Sequence, residues 1–191
     1  MKIAIVGKGN VGTALQTGLA RNGHEVRPVG REPDEILAAG EFADIVILAV
    51  PFAEVDNVAG HLGRSVAGKT VVDATNALTP NLELAVGFST SGAEELQKKL
   101  PDAKVVKAFN TVFAGMMATG RVNGEQLAGF AAADDAQAKK QVLDLLQQLG
   151  FDPIDVGPLA TARLLEPLAL LNIRLGFMQG FGTNIGFRFA H

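Results

Sequence analysis

The 191-residue chain contains no cysteine, tryptophan or tyrosine and only three histidines, His24, His61 and His191. The absence of cysteine excludes a disulfide framework, a thiolate nucleophile and any zinc or iron–sulfur site built on cysteine. The histidines are too far apart in sequence to form a metal-ligand motif, so we expect no metal. No close pair of carboxylates is evident except Asp134 and Asp135, which are expected to begin a helix.

Basic runs and long uninterrupted apolar runs are also missing. Lys and Arg total 17 against 20 Asp and Glu, a net charge of −3, and without a basic run we expect no nucleic-acid partner. The most apolar long stretch, 164–187, is interrupted by Glu166, Pro167, Arg174 and several glycines, so we expect no membrane association. A strand that starts at residue 2 leaves no room for a signal peptide. We therefore expect a cytoplasmic protein whose partner is a small molecule.

Hydrophobic residues make up 48% of the chain and follow two alternating patterns. Short continuous apolar runs predict buried strands, and longer segments with apolar residues at helical spacing predict helices between them. The alternation predicts an α/β fold, a Rossmann-type doubly wound parallel sheet. The predicted strands cover residues 3–6, 25–29, 44–50, 69–73, 104–108 and 127–132. The predicted helices are one that ends at Gly23 and those over 33–39, 91–100 and 134–149.

The character of the sequence changes near its C-terminal end. Residues 1–156 are predicted to form the Rossmann-type domain and 157–191 a small C-terminal extension. The extension consists of an apolar helix over 160–175, interrupted or begun at Pro167, and a Gly-Phe-rich tail. Because glycine costs about 1 kcal/mol per helical position relative to alanine, the tail is not expected to be a lone helix. We expect the tail either to cover a ligand or to pack on a second subunit.

A G-x-G-x-x-G sequence, GKGNVG, lies directly between the first predicted strand and its helix. In such a loop Gly7 makes the tight turn, Gly9 lets the backbone approach a pyrophosphate, and Gly12 allows the helix to pack closely on the strand. The helix N-terminus then faces the phosphates. The motif alone is weak, but its place between strand and helix predicts dinucleotide binding.

Gly30 and Arg31 follow the second predicted strand, where an NAD-specific fold has an Asp or Glu on the ribose hydroxyls. A guanidinium suits the dianionic 2′-phosphate and can stack on adenine, so this pair favours NADP over NAD. The alternative is that Arg31 is a solvated side chain that pairs with Glu32 or Asp34.

Residues after the third, fourth and fifth predicted strands are further candidates, because ligands lie beyond the carboxyl ends of strands in an open parallel sheet. Val50 and Pro51 would pass apolar backbone under the nicotinamide ribose. Asn76, Asn110 and Thr111 offer neutral donors and acceptors for a carboxamide or a substrate carbonyl. The alternative is that these polar side chains cap the next helix or turn.

Acid–base groups are scarce at these strand ends. No histidine follows them, and Lys107 lies inside a strand, where a salt bridge is expected rather than a role as catalytic acid. The sequence singles out no catalytic residue. This favours a reaction that needs little acid–base help, such as direct hydride transfer between two bound ring systems.

Eight stretches resemble the NADPH-dependent coenzyme F420 reductases (F420H2:NADP⁺ oxidoreductases) and their bacterial NADP-oxidoreductase relatives. They are IVGKGNVGTAL, NGHEV, VGR, ADIVILAVP, VVDATNA, LPDAKVVKAFNT, ADDAQAKKQV and GFDPIDVGPLATARLLEPLALL. Because they run nearly end to end, the resemblance implies a Rossmann fold with a small C-terminal extension, and a homodimer. It also implies which residues hold NADP(H): Lys8, Gly9, Asn10, Val11, Gly30 and Arg31, with Val50, Asn76 and Ala114 near the ribose and nicotinamide.

Three positions depart from the family pattern. The loop reads GKGN where members often have GGTGN, so Lys8 either adds a positive charge near the phosphates or points to solvent. Gly30 replaces the usual Ser or Thr, which removes a hydroxyl donor to the 2′-phosphate and is expected to soften the preference for NADP. Asn110 stands where archaeal members tend to have His, so the resemblance does not carry their acceptor pocket over to this chain.

The sequence thus predicts an NADPH-dependent oxidoreductase that transfers a hydride between NADP(H) and a ring-type acceptor, coenzyme F420 or a flavin. The tail and the segment Pro158–Leu168 are expected to wall the acceptor, with Pro158 and Leu159 as candidate substrate residues. One alternative is a non-catalytic NADP(H)-binding module that senses redox state. Another is a reductase of a small imine or ketone, although such reductases usually carry an added helical domain.

Overall fold

The apolar runs of the sequence form the strands of one mixed sheet. The computed structural model describes residues 1–190. Its strands are β1 (Lys2–Val6), β2 (Glu25–Val29), β3 (Ile45–Leu48), β4 (Thr70–Asp73), β5 (Lys104–Ala108), β6 (Arg121–Val122), β7 (Glu125–Gln126), β8 (Ala128–Ala133) and β9 (Asp152–Asp155). Seven of them form one sheet in the order β2-β1-β3-β4-β5-β8-β9, and β6 and β7 form a separate hairpin.

Helices connect the strands and cover both faces of the sheet. They are α1 (Asn10–Arg21), α2 (Pro33–Phe42), α3 (Val55–Leu62), α4 (Gly92–Lys99), α5 (Ala114–Met117), α6 (Ala136–Gln148) and α7 (Ala162–Phe177). Single 3₁₀ turns cover Phe52–Glu54, Gly63–Val66 and Leu159–Thr161. In the part of the chain that the structure describes, no helix is long and apolar enough to cross a membrane.

The core has two layers, one on each face of the sheet. Along β3, Ile45 and Ile47 belong to the layer under α1, α5 and α6, whereas Val46 and Leu48 belong to the layer under α2, α3 and α4. Successive side chains of a strand point to opposite faces, so a strand buried on both faces requires a continuous apolar run. The structure confirms the doubly wound Rossmann-type fold.

One strand departs from the predicted parallel sheet: β8 pairs antiparallel to β5. A parallel crossover within one sheet usually runs through a helix that packs on the sheet. Between β5 and β8 the chain forms only the short α5 and the β6–β7 hairpin, and it returns in the opposite direction. The following strand, β9, is again parallel to its neighbour.

The sequence suggested that Pro167 interrupts or begins the last helix. The structure shows that it does neither, because α7 continues through it. An interior proline removes one helical hydrogen bond and costs about 3 kcal/mol. Buried hydrogen bonds with the segment that follows β5 hold the helix in place. The Asn110 side chain donates to the Leu165 carbonyl at 3.0 Å, and the Asn172 side chain donates to the Thr111 carbonyl at 3.1 Å.

Candidate functional site

In the loop after β1, the fold itself requires glycine at two of the three motif positions. Gly7 has φ +122°, and a Cβ there would collide with the Ala49 carbonyl. A Cβ on Gly12 would collide with the Gly7 carbonyl, so Gly12 allows α1 to pack on the loop. Gly9 is different, because a Cβ at this position would meet nothing within 4 Å. The fold does not require glycine at position 9, and the space beside it is open.

The N-terminus of α1 faces this open space. Gly9 is the N-cap residue, with an extended backbone and no side-chain hydrogen bond to the first turn. The first amides of a helix lack partners within the helix and carry the positive end of its dipole. The loop and α1 together therefore form a site that suits a phosphate or pyrophosphate.

Three cavities meet at the glycine loop, and Gly9 lines all of them. The Arg31 cavity, of about 350 Å³, is lined by Gly7, Lys8, Gly9, Gly30, Arg31, Ala49, Val50 and Pro51. The Asn76 cavity, of about 290 Å³, is lined by Gly9, Asn10, Val11, Ala49, Val50, Pro51, Phe52, Ala74, Thr75 and Asn76. The Phe177 cavity, of about 620 Å³, is lined by Lys8, Gly9, Asn10, Thr13, Ala14, Thr17, Phe113, Ala114, Gly115, Ala118, Phe177 and Thr183.

The structure therefore brings the predicted cofactor residues to one place. Every one of them except Gly12 lines at least one of the three cavities, and Gly12 packs under the loop. The position also agrees with the strand order, because β2 and β3 lie on either side of β1. The chain changes direction across the sheet at this point, which is where ligands of open α/β sheets bind.

A larger cavity, of about 690 Å³, lies elsewhere, at the amino ends of the parallel strands. Some of its polar side chains are already engaged: Lys69 donates to the Gly40 carbonyl, and Thr70 donates to Gln141. The glycine-loop cavities are smaller but contain the open helix N-terminus. We therefore place the functional site at the carboxyl ends of the strands.

Both cations of the Arg31 cavity are paired with carboxylates. Lys8 Nζ lies 3.5 Å from Glu35 Oε2, and Arg31 lies 2.9 Å from Glu54. The alternative partners considered for Arg31, Glu32 and Asp34, were wrong. Glu54 reaches Arg31 because β2 and β3 flank β1, which brings the segments after these two strands close together.

Asn76 lines its cavity and carries an unsatisfied acceptor. Within residues 1–190, its Oδ1 is the buried side-chain atom that has no hydrogen-bond partner. Buried polar atoms in folded proteins are almost always paired, so an exception needs an explanation. A carboxamide N–H₂ or a ribose hydroxyl would satisfy this oxygen. With the open space at Gly9, it shows that the residues present fit a dinucleotide cofactor.

The predicted acceptor residues do not join this site. Asn110 and Thr111 are buried and hold α7 through the hydrogen bonds described above. Leu159 is buried in the core under α4, and Pro158 is exposed. None of the four lines the three glycine-loop cavities. The role of these four residues toward an acceptor stays a prediction. In the structure, Asn110 and Thr111 hold α7 and Leu159 packs in the core.

A buried ion cluster lies directly behind the Asn76 loop. Lys107 is fully buried and contacts Asp73 at 2.9 Å and Glu166 at 3.3 Å, and it donates to the Thr75 carbonyl at 2.7 Å. The salt bridge expected for Lys107 is confirmed. Asp73 and Glu166 form a carboxylate pair that is not evident in the sequence, because they share this lysine across a long sequence separation.

Glu166 also caps a helix. Its carboxylate accepts the backbone N–H groups of Gly92 at 3.0 Å and Ala93 at 3.3 Å, at the start of α4. Ser91 and Glu94 form one half of a capping box at the same helix: Ser91 accepts from the Glu94 amide, but the Glu94 carboxylate binds the Ser91 hydroxyl and Arg163. Hydrogen bonds from Arg163 hold the pKa of Glu94 below its usual value.

Sequence reasoning missed several residues of the site. Glu35 and Glu54 pair with its cations, and Phe113 and Phe177 wall the Phe177 cavity, where their rings meet edge to face at 5.7 Å. The position of Glu35, in the first turn of the helix that follows Gly30, could have indicated that its carboxylate lies near the end of β2. Nothing in the sequence indicated that Phe177 would return to Phe113, because these residues are far apart in the chain.

Comparisons with known proteins identify the family of this chain. Residues 2–41 and 33–77 match the family model described as NADP oxidoreductase, coenzyme F420-dependent. The crystal structure of a candidate F420-dependent NADP-reductase from Arthrobacter sp. FB24 has a TM-score of 0.91 and 32% identity, and the match covers 100% of both chains. An F420-dependent NADP reductase from Methanothermobacter marburgensis is 28% identical over an alignment of 225 positions, which covers 100% of this chain and 99% of the reductase.

A second kind of relative is longer. Metalloreductase STEAP3 of Rattus norvegicus is 31% identical over 186 residues, which cover 89% of this chain but 37% of the metalloreductase. The chain thus spans little more than a third of that protein. The match with the Arthrobacter protein covers both chains from end to end. This chain belongs to the family of coenzyme F420-dependent NADP oxidoreductases.

Proposed function

We propose that the protein catalyses hydride transfer between NADP(H) and a ring-type acceptor, coenzyme F420 or a flavin. The observation that carries this proposal is the meeting of three cavities at Gly9, one with paired cations, one with the unsatisfied Asn76 oxygen and one with aromatic walls. When bound, NADPH supplies the hydride from its nicotinamide ring.

Each part of the dinucleotide has a place in this arrangement. The amides at the start of α1 would hold the pyrophosphate beside Gly9. Gly30, Arg31 and Lys8 would face the 2′-phosphate, since they line the Arg31 cavity. Asn76 Oδ1 would accept a hydrogen bond at the nicotinamide end, above the apolar backbone of Val50 and Pro51.

The Phe177 cavity would receive the acceptor ring. Small residues of α5 line one side, and Phe113 and Phe177 supply aromatic surface, which suits a flat ring system. Phe177 and Thr183 come from the C-terminal extension, so residues 157–191 would complete the acceptor site that residues 1–156 begin. Rings held in contact need only correct positioning to exchange a hydride, which agrees with the scarcity of acid–base groups.

Turnover with defined acceptors tests the proposal. In stopped-flow mixing with NADPH, we expect oxidation of the nicotinamide that depends on added F420 or FMN, and none in the control without acceptor. Tight NADPH binding in calorimetry without turnover on either acceptor would instead support the non-catalytic binding module.

We also propose that a second copy of the chain covers the exposed apolar side of α7. Leu164, Leu171 and Met178 are 65%, 50% and 57% exposed and recur every seven residues, the spacing at which one helix packs along another. Sedimentation should therefore show a dimer that Leu171→Glu converts to a monomer. The control, Leu37→Glu on α2, changes a leucine that is 44% exposed and should leave the dimer intact. A monomeric wild-type protein would contradict this proposal.

A further inference from the structure

The charges around the Arg31 cavity cancel one another. Lys8 pairs with Glu35 and Arg31 pairs with Glu54, so two positive and two negative side chains are present. A 2′-phosphate carries close to two negative charges at neutral pH, as phosphate monoesters do. It would therefore meet a site of no net charge, and it can bind the cations only by competing with the two carboxylates.

Glu35 has the closest relation to the predicted phosphate position. From the first turn of α2 its Oε2 accepts the Gly30 backbone N–H at 2.5 Å and lies 3.5 Å from Lys8 Nζ. A Cβ on Gly30 would come to 3.0 Å from this same oxygen. The absence of a side chain at Gly30 thus leaves room for the carboxylate of Glu35 at the end of β2.

The carboxylate of Glu35 is stabilised in its ionised form. Its hydrogen bond from the Gly30 amide, and then the nearby charge of Lys8, hold the pKa of Glu35 below its usual value. An ionised carboxylate at the end of the second strand is what an NAD-binding Rossmann fold uses to accept the ribose hydroxyls. Here it comes from a helix rather than from the strand end, and it lies beside an arginine and a lysine.

We propose that Glu35 determines the cofactor specificity of this protein: it accepts a ribose hydroxyl of NAD(H), opposes the 2′-phosphate of NADP(H), and lets the protein bind both dinucleotides with similar affinity. This inference rests on the proposed function, since it requires a dinucleotide at the glycine loop. Arg31 and Lys8 still favour the phosphate, and Glu35 reduces that preference by holding Lys8 and by repelling the added charge.

A purely structural role for Glu35 would have a different signature. The contact with Gly30 also satisfies a backbone amide between β2 and α2, which fixes this connection whatever ligand is bound. In Glu35→Gln the side-chain oxygen can still accept this amide, but the negative charge is lost. A structural role therefore predicts unchanged cofactor preference in this variant, and a specificity role predicts an altered one.

Calorimetric titration of the full-length protein with NADPH and NADH tests the inference. In the wild-type protein we expect the two dissociation constants to lie within about tenfold of each other. In Glu35→Gln we expect NADPH to bind about tenfold more tightly, because a repelling charge is gone and Lys8 is free, while NADH binds equally or more weakly. The matched control is Asp34→Asn, which removes the same charge from the same helical turn but has no contact with Gly30 or Lys8 in the structure.

The outcomes separate this inference from the proposed function. If the wild-type protein binds neither dinucleotide, the proposed function fails and the inference fails with it. If NADPH binds but Glu35→Gln leaves the ratio of the two dissociation constants unchanged, the inference is overturned and the proposed function stands. A shift of equal size in Asp34→Asn would also overturn it, because the effect would then belong to net charge rather than to the position of Glu35.

Discussion

Replacing Lys107 with methionine is expected to lower the free energy of unfolding by about 3–5 kcal/mol. The lysine is fully buried between Asp73 and Glu166, which are 1% and 2% exposed. Methionine has a similar length but no charge, so two carboxylates would remain buried together without a cation. Leaving a buried charge without its partner is among the most destabilising changes that a single substitution makes. Urea unfolding followed by circular dichroism measures the loss.

A second lysine on the same strand provides the control. Lys104 pairs with Asp135 at 3.2 Å, but both side chains are about one third exposed. Exposed ion pairs contribute at most about 1 kcal/mol, so Lys104→Met should cost little. If Lys107→Met were no more destabilising than Lys104→Met, the buried cluster would not hold the fold together as its geometry indicates.

Gly9→Val is expected to weaken NADPH binding by about 100-fold, the equivalent of losing one or two charge-assisted hydrogen bonds to the pyrophosphate. The reason is the contrast within the motif. A side chain at Gly7 or Gly12 would collide with the protein itself, but one at Gly9 would enter the space shared by the three cavities. Calorimetric titration with NADPH measures the effect.

The same variant should leave the fold nearly unchanged. Gly9 has an extended backbone that valine adopts readily, and the loss of a favourable N-cap residue costs about 1 kcal/mol. The matched control is Gly87→Val, since a Cβ at Gly87 also meets nothing within 4 Å and Gly87 lines none of the glycine-loop cavities. Normal NADPH affinity in Gly9→Val would show that no pyrophosphate lies beside this residue.

The sequence predicted those features that depend on neighbouring residues. The glycine loop and the polar residues after the strands follow from local patterns, because a strand, a tight turn and a helix N-terminus are encoded within a dozen residues. Strand β5 was predicted at the residues where it occurs. The candidate cofactor residues come together at the glycine-loop cavities for the same reason, since all but Ala114 lie in short segments that follow strands.

Features that depend on distant residues were not predictable in the same way. The direction of β8 depends on how the chain returns after β5, which the apolar pattern of the strand does not encode. The pairing of Arg31 with Glu54 depends on the order of strands in the sheet. Likewise, Asn110 looked like a ligand at a strand end, but its amide is used by α7, whose position no local pattern of the sequence gives.

The buried cluster around Lys107 has a consequence for how the molecule unfolds. Glu166 belongs to the C-terminal extension, whereas Lys107 and the Gly92 amide belong to the sheet and to α4. The extension and the sheet should therefore unfold in one cooperative transition, because detaching α7 would leave Lys107 and Asp73 in a cavity open to water. Lys107 also holds the Thr75 carbonyl, next to Asn76. Loosening of the C-terminal helix would thus increase the motion of the loop at the nicotinamide end, and hydrogen exchange at these two segments should rise together.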